Sequence, residues 1–247
     1  MKGIKAKEIV RLDTIDRSAW LKMRREGIGG SEASAIVGLN PYKDVSQLFL
    51  DKQRIEFEPD NDIVEEENQY MYWGNRLEPV VADEAQLRLR ELVAPYDVVE
   101  YKVFLEHNKH PFIIANVDRL VMKNGSPTAV LECKTGGVSR AKDWTGDRAP
   151  AGYISQVMHY MMVTGLKKAY LACLIGGQRF VLKSVRRDDG LMKLLEQAEL
   201  DFWKYVEVNV MPLELSQYAV EVKEGILEGI ADGSLVDGIY DSSQAQQ

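Results

Sequence analysis

Apolar positions recur at two different spacings along the chain, and the change from one to the other divides it. Over residues 18–25, 45–53 and 69–93 they fall three and four apart, the spacing of amphipathic helices. Over 98–105, 112–122 and 129–135 they alternate or run together in short β-branched stretches, as strands do. A helix is predicted over 151–164, then strands over 169–175 and 179–185 around Gly176-Gly177-Gln178, then helices over 188–210 and 217–231. Turn residues punctuate this pattern. Gly27-Ile28-Gly29-Gly30 is a turn, with Ser31 predicted as the N-cap of a short helix ending at Gly38. Asn40-Pro41 breaks the chain, residues 56–68 form an acidic loop, and Pro79 kinks or restarts its helix. The order predicts an α/β fold whose central mixed, mostly antiparallel sheet is flanked by helices. One domain is expected over 1–240, with its core at about 19–185 and C-terminal helices at 188–231; residues 241–247 are expected to be a flexible tail.

Asn124-Gly125 marks a hairpin between the second and third strands, with Asp118 on one arm and Glu132 and Lys134, two apart, on the other. A two-residue turn would pair Asp118 with Leu131 and leave Glu132 on the opposite face. The three side chains share a pocket only if the loop holds an odd number of residues. Pro127 cannot donate to a ladder, so a wider loop over 123–127 is expected. Two carboxylates and a lysine can hold Mg²⁺ against a phosphodiester and position a water beside it. The flanks Phe112-Ile113-Ile114 and Ala129-Val130-Leu131 place these charges on interior strands, where they are costly unless paired or metal-bound. The bland alternative is an edge-strand salt bridge, since a bare Glu-x-Lys is common by chance. Asp118 upstream and Gln156 on a helix downstream favour function.

Of 247 residues, 45% are hydrophobic and 28% charged, ordinary for a globular protein. No apolar run is long enough for a membrane helix, and Met1-Lys2-Gly3-Ile4-Lys5 lacks the apolar core of a signal peptide, so a cytoplasmic location is expected. Cys133 and Cys173 form no CxxC pair, which excludes a four-thiolate zinc site or Fe–S cluster within one chain. His107, His110 and His159 offer little for a histidine-rich centre; oxygen ligands favour Mg²⁺, with Mn²⁺ able to substitute. The net charge of −7 argues against nucleic acid as a whole-chain average. Acids, however, concentrate in 56–67 and 196–228 and bases in 22–25 and 134–148, and phosphate contacts need only local positive charge.

Five segments occur in an order that resembles the YqaJ-type viral recombinase family of the PD-(D/E)xK nuclease superfamily, which includes lambda exonuclease. They are Trp20-Leu21-Lys22-Met23-Arg24-Arg25-Glu26-Gly27-Ile28-Gly29-Gly30-Ser31-Glu32, Trp73-Gly74-Asn75-Arg76-Leu77-Glu78, Asn116-Val117-Asp118, Leu131-Glu132-Cys133-Lys134 and Tyr153-Ile154-Ser155-Gln156-Val157-Met158-His159-Tyr160-Met161. Val117 stands where the motif name has proline, and Asn108 stands roughly where lambda exonuclease has an extra acid, so that position receives no role.

The resemblance implies a PD-(D/E)xK core in which Asp118 and Glu132 hold the metal with the backbone carbonyl of Cys133. Lys134 would orient or activate the attacking water, with a pKa lowered by the metal charge. Glu78 would complete the acidic cluster, although an acid before Pro79 at a helix start is also simply favoured by the helix dipole. Gln156 would bond the water or a phosphate; His159 and Tyr160, on the same face, either line a substrate channel with it or are capped core groups. Arg24, Ser31 and Gly30 would form a pocket for a 5′-phosphate, the arginine as a clamp and the turn through its N–H groups, with Arg25 as a DNA-backbone contact. The commoner reading of such residues is an N-cap serine and a solvated arginine. Lys43 and Arg140 are further backbone contacts, whereas Trp20 and Trp73 read as core.

The implied activity is a Mg²⁺-dependent 5′→3′ exonuclease on linear double-stranded DNA, leaving 3′ tails for a single-strand annealing protein in phage-type recombination. A homo-oligomeric ring, a trimer by analogy, is implied with it. The alternatives are a structure-specific or restriction-type endonuclease and a non-catalytic DNA-end binding protein.

Overall fold

The chain's strands divide between two sheets, and the crossings between them shape the site. The computed structural model describes residues 1–57 and 68–244. Strands β1 (Lys7–Arg11), β3 (Val103–Glu106) and β4 (Ile114–Ala115) form a small antiparallel sheet in that order. The larger sheet takes β2 (Asp97–Glu100), β5 (Arg119–Lys123), β6 (Ser126–Gly136), β7 (Lys168–Ile175), β8 (Arg179–Arg186) and β9 (Val236–Asp241), again in that order. Only β6 and β7 run parallel, so helix α5 (Ala151–Thr164) lies between them as the crossover. The expected mixed, mostly antiparallel sheet flanked by helices is therefore present.

Helices cover both faces of the large sheet. On one side Val130, Leu171 and Val181 pack with Ile154, Val157 and Met158 of α5, backed by α2 (Gly30–Ile36), α6 (Asp189–Glu207) and α7 (Gln217–Ala231). On the other, Val121, Ala129, Leu131 and Ala172 lie under Val81, Ala82, Ala85 and Leu89 of α4 (Gln69–Leu92). Each of the valine, leucine, isoleucine and methionine side chains, fully buried, contributes about 1.5–3 kcal/mol. Alternate residues of β6 thus serve opposite cores: Val130, and with it Glu132 and Lys134, face α5, while Leu131 and Cys133 face α4.

Several expected boundaries move. The strands expected over 98–105 and 112–122 are each cut in two, because the chain changes sheet at Tyr101-Lys102 and again at Asn116-Val117-Asp118. An apolar run reads alike on either side of such a crossing, so periodicity does not register it. Edge strands β1 and β9 appear where no strand was expected. Asp241, expected to open a flexible tail, instead ends β9, buried and gripped by Arg179 at 3.0 and 2.5 Å; residues 245–247 lie outside the described residues. Helix α3 (Val45–Phe57) takes up the first residues of the expected acidic loop, and 58–67 lie outside the described residues. Pro79 neither stops nor restarts α4, which runs through it. The N-cap of α2 is Gly29 rather than Ser31, and the Glu32 carboxylate accepts the Gly29 N–H at 2.9 Å.

The hairpin register is as the site requires, by a different route. Lys123 pairs with Ser126, so Asn124-Gly125 is a two-residue turn with both φ angles positive, 51° and 74°. The wider loop over 123–127 does not form. Instead β6 carries one extra residue: Met122 pairs with Pro127 but Val121 with Ala129, leaving Thr128 as a bulge whose hydroxyl donates to the Val121 carbonyl at 2.9 Å. Beyond the bulge Arg119 faces Leu131, and one residue further Asp118 comes against Glu132.

Candidate active site

Asp118 is the last residue of the crossing segment, where β5 has not yet begun to pair. The next strand therefore has a free N–H, that of Cys133, and Asp118 Oδ2 accepts it at 2.9 Å. A strand residue's N–H and C=O point to the same side, so the Cys133 carbonyl is directed the same way. Glu132 Oε1 accepts from Lys134 Nζ at 2.5 Å and from Gln156 Nε2 at 2.7 Å. Gln156 also donates to the Tyr160 hydroxyl at 3.0 Å, one turn along α5. Glu132 is only 3% exposed, yet its second oxygen, Oε2, has no hydrogen-bond partner among the described residues. An orphaned buried carboxylate oxygen is costly, and a cation would satisfy it.

Burial, together with the Glu132 carboxylate, pushes the Asp118 carboxyl up to about 7, with Lys134 opposing. Burial alone would lower the Lys134 ammonium, but Glu132 and Asp118 outweigh it and hold Lys134 above the ordinary lysine value. Two carboxylates are the nearest charges to Lys134; the lowering expected from sequence depends on a divalent cation between them, whose charge would cancel their effect. The donors are all oxygens and carry more negative charge than one lysine balances. That set fits Mg²⁺ or Mn²⁺ and not a softer ion.

Glu78 reaches the same region from α4, well inside that helix, so the helix-dipole explanation falls away. Its Oε1 accepts from Arg119 Nη1 at 2.5 Å, and the same nitrogen donates to the Asp118 carbonyl at 2.8 Å. Burial and the neighbouring Asp118 raise the Glu78 pKa, against Arg119. Glu78, Asp118 and Arg119 line a cleft of about 400 Å³ that extends past Asn116 to Trp20 and Arg17.

The glycine turn lies next to this centre. A Cβ on Gly30 would stand 2.4 Å from the Tyr160 ring, so the missing side chain lets α2 lie against α5. Gly30, Tyr160, Gln156 and Glu132 thus form one continuous line of contacts. Arg24, on α1 (Arg17–Arg25), lies over the Trp20 ring at 4.9 Å and donates to Ser31 Oγ at 3.1 Å. Trp20 Nε1 donates in turn to Asn116 Oδ1 at 3.3 Å, beside the crossing segment. Arg25, in the last turn of α1, is half-buried.

A family model described as the YqaJ-like viral recombinase domain matches residues 19–167. The chain belongs to the YqaJ-like viral recombinase family. An uncharacterized protein YqaJ of Bacillus subtilis (strain 168) is 38% identical over 205 residues, 82% of this chain. The chain spans about 60% of the length of that relative. Among solved structures, an alkaline exonuclease from Laribacter hongkongensis superposes with a TM-score of 0.57 at 16% identity, covering 85% of this chain and 98% of the other. A phage-related exonuclease from Haemophilus somnus 129PT gives 0.54, also at 16% identity, covering 74% and 94%. The fold is shared with these two exonucleases.

In this YqaJ-like chain the structure also redistributes several expected residues. Of the two readings of His159 the capped core group is the one observed: it is fully buried, its Nε2 meeting the Ile114 carbonyl and its Nδ1 meeting Glu199 Oε1, each at 2.7 Å. Trp73 is not core but 53% exposed, and Trp20 is only half-buried. Lys43 pairs with Asp51, and Arg140 with Asp143 at 2.8 Å. Two residues were not singled out from sequence. Arg119 fixes Glu78, and buried Lys52 donates to both Glu32 oxygens at 2.8 Å and to the carbonyls of Gly27 and Arg24 at 2.5 and 3.0 Å, bracing the glycine turn. Their roles come from partners many positions away, and no local signal marks them.

Proposed function

We propose that the chain is a Mg²⁺-dependent exonuclease, with Mn²⁺ able to substitute, degrading the 5′ strand of linear double-stranded DNA to leave 3′ tails for a single-strand annealing protein. The single observation that carries this reading is the buried Glu132 carboxylate with one unpartnered oxygen beside Asp118. Family membership and a fold shared with two exonucleases support a nuclease role. Asp118, Glu132 and the Cys133 carbonyl would hold the ion, and Glu78, held by Arg119, would complete the cluster beside Asp118. When bound, the ion supplies positive charge to the scissile phosphate and to the attacking and leaving oxygens. Lys134 would hold the attacking water by a hydrogen bond and Gln156 would fix the Glu132 carboxylate that Lys134 shares. Arg24, Ser31 and the Gly30 turn would receive the 5′-phosphate, with Arg25 as a DNA-backbone contact. A homo-oligomeric ring would keep the chain on its DNA through successive cuts.

The test is digestion of a 5′-end-labelled linear duplex beside a covalently closed circle, both with Mg²⁺. Release of labelled mononucleotide from the duplex with the circle intact is expected; cutting of the circle would favour the endonuclease reading, and binding without cutting the end-binding one. Arg24→Ala is expected to weaken the preference for a 5′-phosphate over a 5′-hydroxyl by about tenfold or more, the scale of one charge-assisted contact.

A further inference from the structure

His107 and His110 stand three apart in the loop between β3 and β4, and Glu196 projects toward them from α6. One potential ligand atom from each lies within 4.8 Å of the others. This group shares no residue with the acidic cluster and is independent of the function proposed above.

The loop is built rather than slack. The His107 N–H donates to the Ile113 carbonyl at 2.9 Å and the Ile113 N–H to the His110 carbonyl at 2.9 Å, which fixes the two histidines relative to each other. Their rings stack with centroids 5.5 Å apart. Two turns along α6 from Glu196, Trp203 stacks on Phe112 at 4.8 Å, so a single stripe of the helix holds the loop at two points. His110 Nε2 already lies 3.2 Å from Glu196 Oε1. His107 Nδ1, by contrast, is shut from water and has no hydrogen-bond partner among the described residues. A surface ion pair accounts for His110 and Glu196 but leaves that nitrogen unexplained.

We propose that His107, His110 and Glu196 bind a Zn²⁺-class transition ion that ties this loop to α6. Two imidazoles and a carboxylate are a known zinc donor set, leaving a fourth position for water. Nitrogen donors reject Mg²⁺, so the two sites would sort their ions by chemistry. A tetrahedral ion with bonds of about 2.0–2.1 Å needs ligand atoms roughly 3.3 Å apart. The His110–Glu196 pair meets that spacing, and only His107 has to turn inward. The braced segment includes Ile113 and Ile114. The Phe112 carbonyl accepts the Ile28 N–H at 2.6 Å and the Ile114 N–H donates to the Ile28 carbonyl at 2.9 Å, so the ion would stiffen the glycine turn from behind.

The test uses the full chain without a histidine tag, stripped by chelator and titrated calorimetrically with Zn²⁺ alone, then again in excess Mg²⁺. One Zn²⁺ per chain is expected, undisturbed by Mg²⁺ and by Asp118→Asn, weakened more than about tenfold by His107→Ala, His110→Ala or Glu196→Gln, and raising the melting temperature. Glu196→Gln preserves the helix stripe and guards against a variant that merely misfolds. Co²⁺ in place of Zn²⁺ should give the visible spectrum of nitrogen ligation. Zn²⁺ binding absent from the wild type, indifferent to all three substitutions, or abolished by Asp118→Asn would overturn the proposal.

Discussion

Glu132 has one carboxylate oxygen engaged twice and the other not at all, and that asymmetry explains most of what its neighbours do. Lys134 and Gln156 share Oε1 and so fix the plane of the carboxylate, leaving Oε2 for a cation. Lys134→Ala should lower the cleavage rate by about 10²–10⁴, the range for a residue handling the attacking water, while gel-shift binding to duplex ends is retained. Wild-type cleavage by that variant would remove the lysine from the mechanism. Asp118 carries a pH signature. Its carboxyl is raised to about 7 in the folded chain, whereas the unfolded chain releases that proton near its ordinary value of about 3.9. The stability it contributes is therefore complete below about pH 4 and lost as pH rises through 7. Mg²⁺ competes with that proton, so the gain in melting temperature on adding Mg²⁺ should be small at acid pH and large above neutrality. Asp118→Asn should erase the gain and stabilise the metal-free protein at alkaline pH by up to roughly 4 kcal/mol, since the rise from about 3.9 to about 7 spans about three pKa units worth about 1.4 kcal/mol each. A Mg²⁺ effect independent of pH would contradict this. Asp118, Glu132 and Lys134 were legible in the sequence because their chemistry travels with their spacing, whereas Gln156 was marked by the family resemblance rather than by its own position. Arg119 and Lys52 were not legible, because each acquires its role from a partner across the fold: Glu78 and the Gly27 carbonyl.

Thr128 decides whether those residues can meet at all. Residues with both φ angles positive, as in Asn124-Gly125, close the tightest hairpin, and that turn by itself would put Asp118 opposite Leu131. The bulge displaces the register by one and brings Asp118 to the face of Glu132 and Lys134. Sequence showed that a shift was needed and misplaced it in the loop, because Pro127 marks a break in the ladder while periodicity does not record whether the loop or the strand takes up the extra residue. The two sheet crossings were hidden for the same reason, whereas helices α5, α6 and α7 were legible because their apolar stripes continue for several turns. Deleting Thr128 should therefore disable the site while sparing the sheet. Seven pairs hold β6 to β7, so β5 and Asp118 would slip instead. Circular dichroism should be close to wild type, while Mg²⁺-dependent cleavage and the Mg²⁺ shift in melting temperature are lost. Retained cleavage would mean that another residue takes up the slip.

Viewed whole, the molecule is an acidic protein proposed to handle a polyanion, and the arrangement of charge must resolve that conflict. Arg17, Lys22, Arg24 and Arg25 all lie on α1, beside the cleft that leads to Asp118. Glu207, Glu221, Glu224 and Glu228 lie on α6 and α7, which back α5. At physiological ionic strength the Debye length is about 8 Å, so acids farther than that from DNA on the α1 side are largely screened; at 0.01 M it is about 30 Å and the net −7 is felt across the whole molecule. Affinity for duplex ends, measured without cleavage in Ca²⁺, should fall with salt at a log–log slope of about −3 to −4 above 0.1 M, because each neutralised phosphate contributes about −0.9. Below about 0.02 M the curve should flatten rather than keep rising, as the reach of the acidic helices overtakes the gain from counterion release. Lys22→Ala should make the high-salt slope shallower by about 0.9 without changing end preference, since an exposed ammonium on α1 meets phosphate as a point charge. A slope near zero, or one unchanged when α1 loses its cations, would place the DNA on another face of the molecule.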